Sequence, residues 1–339
     1  MKAAVLERLN ESPTIRDVRL TNLKVGQVLV KIIASGICGA QLQEMRGHKG
    51  NAKFLPHLMG HEGCGIVQEV GAGVTTVAVG DKVVMHWRQG EGIESPFPEY
   101  VYDGKIITSG KVTTLSEYSI ASENRLTKVP PDTPVELCAL LGCGLTTALG
   151  IIDNEINLKL GESIMIVGCG GLGLSLIRGA ALCSAYPIIG IDILEDKRTK
   201  ASELGATHFF NTKKENLTVS DIDVIIDTTG NANVIGEMSK YLSKNGRMVL
   251  VGQPPPGVDL QIPNGVSMFA GRGKSIKATQ GGKTNPTEDI PRYIRMNKAG
   301  ILGVDKIVTH RFNLGDIDQA FEVLKSGTAG RIMIYMEKQ

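Results

Sequence analysis

Apolar residues fall into two different patterns along this chain. Up to about Val129 they come as short β-branched runs broken by glycine, as in Gln27-Val28-Leu29-Val30-Lys31-Ile32-Ile33 and Gly65-Ile66-Val67-Gln68-Glu69-Val70-Gly71, which is how strands joined by turns read. They predict an all-β lobe, a distorted barrel. From Ser163 the texture changes. Apolar strands at 164–167, 188–191, 224–226 and 248–251 alternate with helical stretches at 172–182 and 195–204, the second stopped by Gly205. Alternation of this kind predicts an α/β, doubly wound parallel sheet. After about Ala278 the pattern is mixed again, with helices expected near 289–299 and 314–325 and a final strand at 332–335. The expected division is 1–144, 145–278 and 279–339, the last segment returning to the first lobe.

Length agrees with two lobes: 339 residues stand against roughly 150 per domain. The net charge of +2 gives no general field toward nucleic acid or anionic membrane. The apolar run after Met1 is too short for a secretory signal, and no stretch reaches the roughly 18 apolar residues of a membrane span. The expectation is a cytoplasmic protein with a small-molecule partner and neither nucleic acid nor membrane. Cys38, Cys64, Cys138, Cys143, Cys169 and Cys183 have no small-scaffold spacing, so they read as ligands and core residues rather than as disulfides.

The strand at 164–167 runs into Gly168-Cys169-Gly170-Gly171-Leu172-Gly173 and then into an apolar helix. This is G-x-G-x-x-G in its strand-to-helix context. Gly168 permits the tight turn, Gly170 lets a pyrophosphate approach the backbone, and Gly173 lets the helix pack on the strand, with the helix amino terminus favouring phosphate. Asp192 ends the next strand at about the 20-residue separation of a ribose-binding carboxylate. It favours NAD over NADP, although Lys197 and Arg198 beside it could accommodate a further phosphate. A structural glycine turn, or an adenosine-only site, is the plain alternative.

In the first lobe Gly36-Ile37-Cys38-Gly39 and Gly60-His61-Glu62-Gly63 supply a thiolate, an imidazole and a carboxylate, and Leu141-Gly142-Cys143-Gly144 a second thiolate. Two Cys and one His are a known catalytic-zinc set. A lone Cys or His is usually a core residue, so only the combination carries weight.

With Gly80-Asp81-Lys82-Val83, Gly142-Cys143-Gly144-Leu145-Thr146-Thr147 and the glycine fingerprint added, the chain resembles the zinc-containing medium-chain alcohol dehydrogenases over nearly its whole length. The branch of the glutathione-dependent formaldehyde dehydrogenases is the nearest. The resemblance implies a GroES-like barrel plus a Rossmann domain, and one catalytic zinc on Cys38, His61 and Cys143 with Glu62 as an outer or transient ligand. It further implies NAD, with Thr147 and Leu172 against the nicotinamide, Val251 and Gly252 near its carboxamide and Arg331 near the pyrophosphate. A homodimer or homotetramer is implied, and hydride transfer between an alcohol and its carbonyl partner.

Three departures stand out. Relatives often continue from the first zinc Cys with a hydroxyl residue and a His that relay the alcohol proton, whereas this chain reads Cys38-Gly39-Ala40-Gln41-Leu42-Gln43, and neither Ala40 nor Gln43 titrates. A second hydroxyl on a polyol or sugar substrate, or a water held by His48, is the hypothetical substitute, against the plain reading that His48 beside Arg46 and Lys49 belongs to a solvated basic loop. Gln41 stands where a carboxylate commonly orients the zinc-binding His. Residues 87–110 lack the closely spaced cysteines of a structural zinc lobe, and Trp87 aligns with an aromatic that walls the substrate pocket in relatives. Two other functions remain open on these residues: a zinc-independent reductase of the same superfamily, against which the intact Cys38, His61, Glu62 and Cys143 argue, and a non-catalytic NAD-binding sensor.

Overall fold

A computed structural model describes residues 1–337. It comprises two units, one formed by residues 1–146 with the chain from 284 onward, the other by residues 147–283. The divisions therefore fall after residues 146 and 283, where the hydrophobic pattern places them after 144 and 278.

The first unit is organised around one eleven-residue strand, Gln27–Ile37. One edge of its first half pairs antiparallel with Tyr118–Ser122, from Ser122 opposite Gln27 to Tyr118 opposite Lys31. Its last residues pair instead with Arg331–Tyr335, from Tyr335 opposite Ala34 to Ile332 opposite Ile37. The other edge carries Glu62–Val70, with register shifts at 29/30 and 32/34. Such irregularities bend a strand and increase its twist, so this strand can serve two partners in turn. Glu62–Val70 passes on to Lys82–His86 and that strand to Leu126–Lys128, while Arg331–Tyr335 takes Val308–Asn313 in parallel. Val28, Val30, Ile32, Val67, Val83, Met85 and Ala121 fill the space enclosed.

The C-terminal segment closes this unit. The helix Ile317–Ser326 lays Ile317, Ala320 and Phe321, spaced for one helical face, against Ala4, Leu6, Ile37, Ile332 and Ile334. The turn before it, Leu314–Asp316, is a 3-10 turn, so the helix starts later than its apolar pattern predicts. The helix Pro286–Lys298 starts earlier than the expected 289, because the Asn285 side chain accepts the Thr287 N–H and Pro286 is suited to a first turn. Residues 87–110 contain the hairpin of Glu99–Tyr102 with Lys105–Thr108 and no helix.

The second unit is a six-stranded parallel sheet in the order His208–Asn211, Ile188–Asp192, Ile164–Val167, Ile222–Asp227, Leu242–Leu250, Ser275–Ala278. Taken in chain order this is 3-2-1-4-5-6, the doubly wound arrangement whose ligand crevice lies at the carboxyl ends of the first and fourth strands. The central strands are apolar on both faces, with Ile164, Met165, Ile166 and Val167 all buried, as a sheet covered on both sides requires. The helix Gly171–Leu182 buries Leu174, Leu176, Ile177 and Ala180.

Candidate metal centre and dinucleotide turn

Strand register brings the candidate metal ligands to one end of the first unit. Because Ser35 lies opposite Gly63 in an antiparallel pair, the chain leaving Ile37 reaches Cys38 at the same end at which His61 enters the next strand. Glu62 lies opposite His86, so Trp87 comes to that end too, and Ile332 opposite Ile37 does the same for Arg331. Cys143 arrives from the helix Val135–Leu140, whose following residue Gly142 approaches Glu62 so closely that a Cβ would stand 2.8 Å from the Glu62 Cα.

The ligand atoms of Cys38, His61 and Cys143 all lie within 4.8 Å of one another. Atoms held at about 2.0–2.3 Å by one ion stand roughly 3.5–4 Å apart, so two sulfurs and one imidazole at this spacing fit a zinc with a position left for substrate. The sulfurs interact directly: the hydrogen bond with Cys143 holds the Cys38 thiol well below its ordinary range, and the same contact together with burial pushes the Cys143 thiol up. A cation would replace the protons these groups share.

Glu62 lies outside this trio. Its carboxylate is fully buried, paired through Oε1 with the Arg331 guanidinium, while Oε2 accepts the Gly144 N–H at 3.0 Å. Gly36 and Gly144 make room for that pair, since a Cβ on Gly36 would strike the Glu62 carboxyl and one on Gly144 the Arg331 guanidinium at 2.8 Å. Arg331 is thus found paired with Glu62. No local sequence signal announces this pairing; only the register of the last strand does.

The positions of the absent relay are occupied differently. Gln41 is buried, its Oε1 accepting the Cys38 N–H at 3.0 Å, while its Nε2 has no hydrogen-bond partner among the described residues. Gln43 Oε1 lies 2.7 Å from His48 Nδ1. An amide oxygen can only accept, so Nδ1 carries the hydrogen and Nε2 is the basic nitrogen.

In the second unit the three fingerprint glycines have three distinct surroundings. Gly168 adopts φ +91°, Gly170 has open space where a side chain would stand, and a Cβ on Gly173 would collide with the Gly168 carbonyl. Gly171 and Leu172 open the helix. Asp192 closes the turn: Oδ2 accepts the Cys169 N–H at 2.7 Å and Oδ1 those of Ile193 and Leu194 at 2.7 and 3.0 Å. Lys197 is buried near Asp192, and burial lowers its pKa. Arg198 is engaged by Glu195, Glu215 and the Phe209 carbonyl. Val251 and Gly252 send their N–H groups to the Asp227 carbonyl, and Thr147 is buried at the start of the unit.

Residues 24–131 match the family model of the alcohol dehydrogenase GroES-like domain, and residues 171–299 that of the zinc-binding dehydrogenases. Alcohol dehydrogenase 6 of Peromyscus maniculatus is 30% identical over 367 residues, 98% of this chain and 97% of that protein. Among solved structures, an alcohol dehydrogenase zinc-binding domain protein from Burkholderia ambifaria superposes with a TM-score of 0.91 at 26% identity, covering 99% of both chains. Benzyl alcohol dehydrogenase from Acinetobacter calcoaceticus does so at 0.89 and 26%, again over 99% of both. Among the described residues no helix is long and apolar enough to cross a membrane.

Proposed function

We propose, for a chain that belongs to the zinc-dependent medium-chain alcohol dehydrogenases, that Cys38, His61 and Cys143 hold the zinc and that the turn at 168–173 with Asp192 holds the dinucleotide. Zinc and NAD are its cofactors, and interconversion of an alcohol and its carbonyl partner is its chemistry. When bound, zinc polarises the substrate oxygen and the nicotinamide exchanges the hydride.

The protein's own contributions follow from the groups described. The two thiolates and the imidazole fix the metal and leave one position for substrate. The open face of Gly170 admits the pyrophosphate to the backbone, Gly171 and Leu172 present helix-terminal N–H groups, and Asp192 accepts ribose hydroxyls. Thr147, Val251 and Gly252 border the nicotinamide, and Lys197 flanks the ribose. Arg198, already bound to two carboxylates, is poorly placed to take a 2′-phosphate, in keeping with NAD. Glu62 acts as an outer group whose charge Arg331 balances.

For the alcohol proton, His48 Nε2 is the acceptor, its ring held by Gln43, and a second hydroxyl on a polyol or sugar spans the gap left by Ala40. His48→Ala should slow alcohol oxidation, with recovery on adding imidazole; unchanged activity across pH would remove His48 from the route. The exposed Val258, Leu260, Val266 and Phe269 of the second unit support a homodimer or homotetramer, measurable by light scattering. Six cysteines without a disulfide suit a cytoplasmic setting.

The observation that carries the reading is the convergence of Cys38, His61 and Cys143. The deciding experiment measures zinc per chain and NADH formation on an alcohol and polyol panel for wild type and Cys143→Ser. About one zinc, with turnover lost in the variant, is expected. Turnover that survives metal removal would instead indicate a zinc-independent reductase, and zinc without turnover a sensor.

A further inference from the structure

Asp192 is not the only side chain that grips the glycine turn. Val167 lies opposite Asp227 in the parallel pair of Ile164–Val167 with Ile222–Asp227, so Thr228 leaves its strand where Gly168 leaves its own, at the carboxyl ends where a doubly wound sheet takes its ligand. The Thr228 N–H donates to the Val167 carbonyl at 2.9 Å. Its hydroxyl adds a contact that the strand ladder does not supply, one proton shared between the Val167 carbonyl at 2.9 Å and the Gly168 carbonyl at 3.1 Å. The Gly168 carbonyl and the Cys169 N–H form one planar peptide group, and that N–H is held by Asp192 Oδ2 at 2.7 Å. This peptide is thus held at both ends, by side chains from two different strand ends. Gly168, at φ +91°, would otherwise be free to turn it, having no Cβ to restrict rotation. Thr228 is itself fixed by its neighbours: the buried Asp227 accepts the Thr229 hydroxyl at 2.6 Å and the Gly230 N–H at 2.9 Å through its carboxylate, and the Val251 N–H at 2.9 Å through its carbonyl.

We propose that Thr228 is a positioning residue for the dinucleotide: its hydroxyl, acting opposite Asp192, holds the Gly168–Cys169 peptide in the orientation that presents the turn's backbone to the pyrophosphate before any cofactor arrives. Order established in advance is a cost removed from binding. Once ribose hydroxyls draw on the Asp192 oxygens, the Thr228 contact is what keeps the peptide from turning. The same hydroxyl is a second reason for glycine at 168, since a Cβ there would collide with Thr228 Oγ1.

Thr228 can act in this way only if the turn at 168–173 holds the dinucleotide, and the measurement separates the two. Calorimetry on the zinc-loaded protein is run with NAD and with ADP-ribose, which keeps the pyrophosphate and lacks the nicotinamide. Thr228→Val keeps the shape of the side chain and removes the donor, and it should weaken both ligands by about fivefold to tenfold, the worth of one hydrogen bond. Thr228→Ser restores the hydroxyl and should bind both within about twofold of wild type. Wild-type affinity in Thr228→Val, a Thr228→Ser variant as weak as Thr228→Val, or a loss confined to NAD would each overturn the role of the hydroxyl while leaving the dinucleotide site in place. A wild-type protein that binds neither ligand would overturn the dinucleotide reading, and this role with it. Should Thr228→Val fail to fold, Thr228→Cys, whose thiol is a poor donor, takes its place with the same expected loss, and wild-type affinity there would overturn the role equally.

Discussion

The dinucleotide turn and the metal centre use the chain in opposite ways. Cys169, in the turn after one strand, and Asp192, the last residue of the next, are 23 positions apart in one unit and close the glycine turn. Glu62 and Arg331, which stand behind the metal trio, are separated by 269 positions and meet only because two strands flank Gln27–Ile37 in fixed register. In the turn, glycine geometry creates the site and little else is asked of the protein. The metal centre instead depends on every strand that carries a ligand being in register. A local site should therefore respond to substitution in its ligand affinity, and a distributed one in stability as well.

The largest effect expected is at the ligands. Cys38→Ser should lower turnover on the order of a thousandfold, the several kcal/mol that a Lewis acid contributes, while NAD affinity measured by calorimetry stays near the wild-type value. Loss of both would mean the two sites are not separable. Glu62→Gln should come next, because it leaves the Arg331 guanidinium buried without its countercharge, a change that costs about 3–5 kcal/mol in urea unfolding. An unaltered unfolding curve would show that the distributed site is not tied to the stability of the barrel.

A third expectation concerns pH. Burial lowers the His86 pKa from 6.5 to about 4, so between these values the unfolded chain binds the proton and the native ring does not. The stability that His86 contributes is complete above about pH 6.5 and disappears as the pH falls through 4, amounting to about 3 kcal/mol. Urea titrations at pH 7.5 and 4.5 should show this slope in the wild type and a flatter one in His86→Gln; equal slopes would contradict it. Within the turn, Gly170→Ala meets open space and should fold normally yet bind NAD about tenfold more weakly, roughly 1.4 kcal/mol. Gly173→Ala, which collides with backbone, should fail in folding instead. The smallest effect expected is at Arg198→Ala on the surface, less than about 1 kcal/mol of stability, with no gain of NADP use.

This contrast explains what could be read from residues alone. Four of the six parallel strands and the glycine turn announce themselves through short-range pattern, and Asp192 through its distance from the glycines, whereas His208–Asn211 and Ser275–Ala278 do not. Cys38, His61 and Cys143 were recognisable as a chemical set and through family likeness, but their convergence depends on register, which no short window encodes. Arg331 on Glu62 lies entirely in that second category. The helix starts at Pro286 and Ile317 differ from the apolar pattern for a smaller reason: a side-chain cap at Asn285 and a 3-10 turn before Ile317 shift where helical hydrogen bonding begins.

The pairing of Arg331–Tyr335 with Gln27–Ile37 also sets an order in time. A ribosome delivers Cys38, His61 and Cys143 early, so a growing chain has all three candidate ligands in hand while Arg331 is still unsynthesised. Until that last strand is added, Glu62 has no cation to face and Ile37 lacks its neighbour. The candidate ligands therefore leave synthesis well before the strand that completes the sheet beside Ile37.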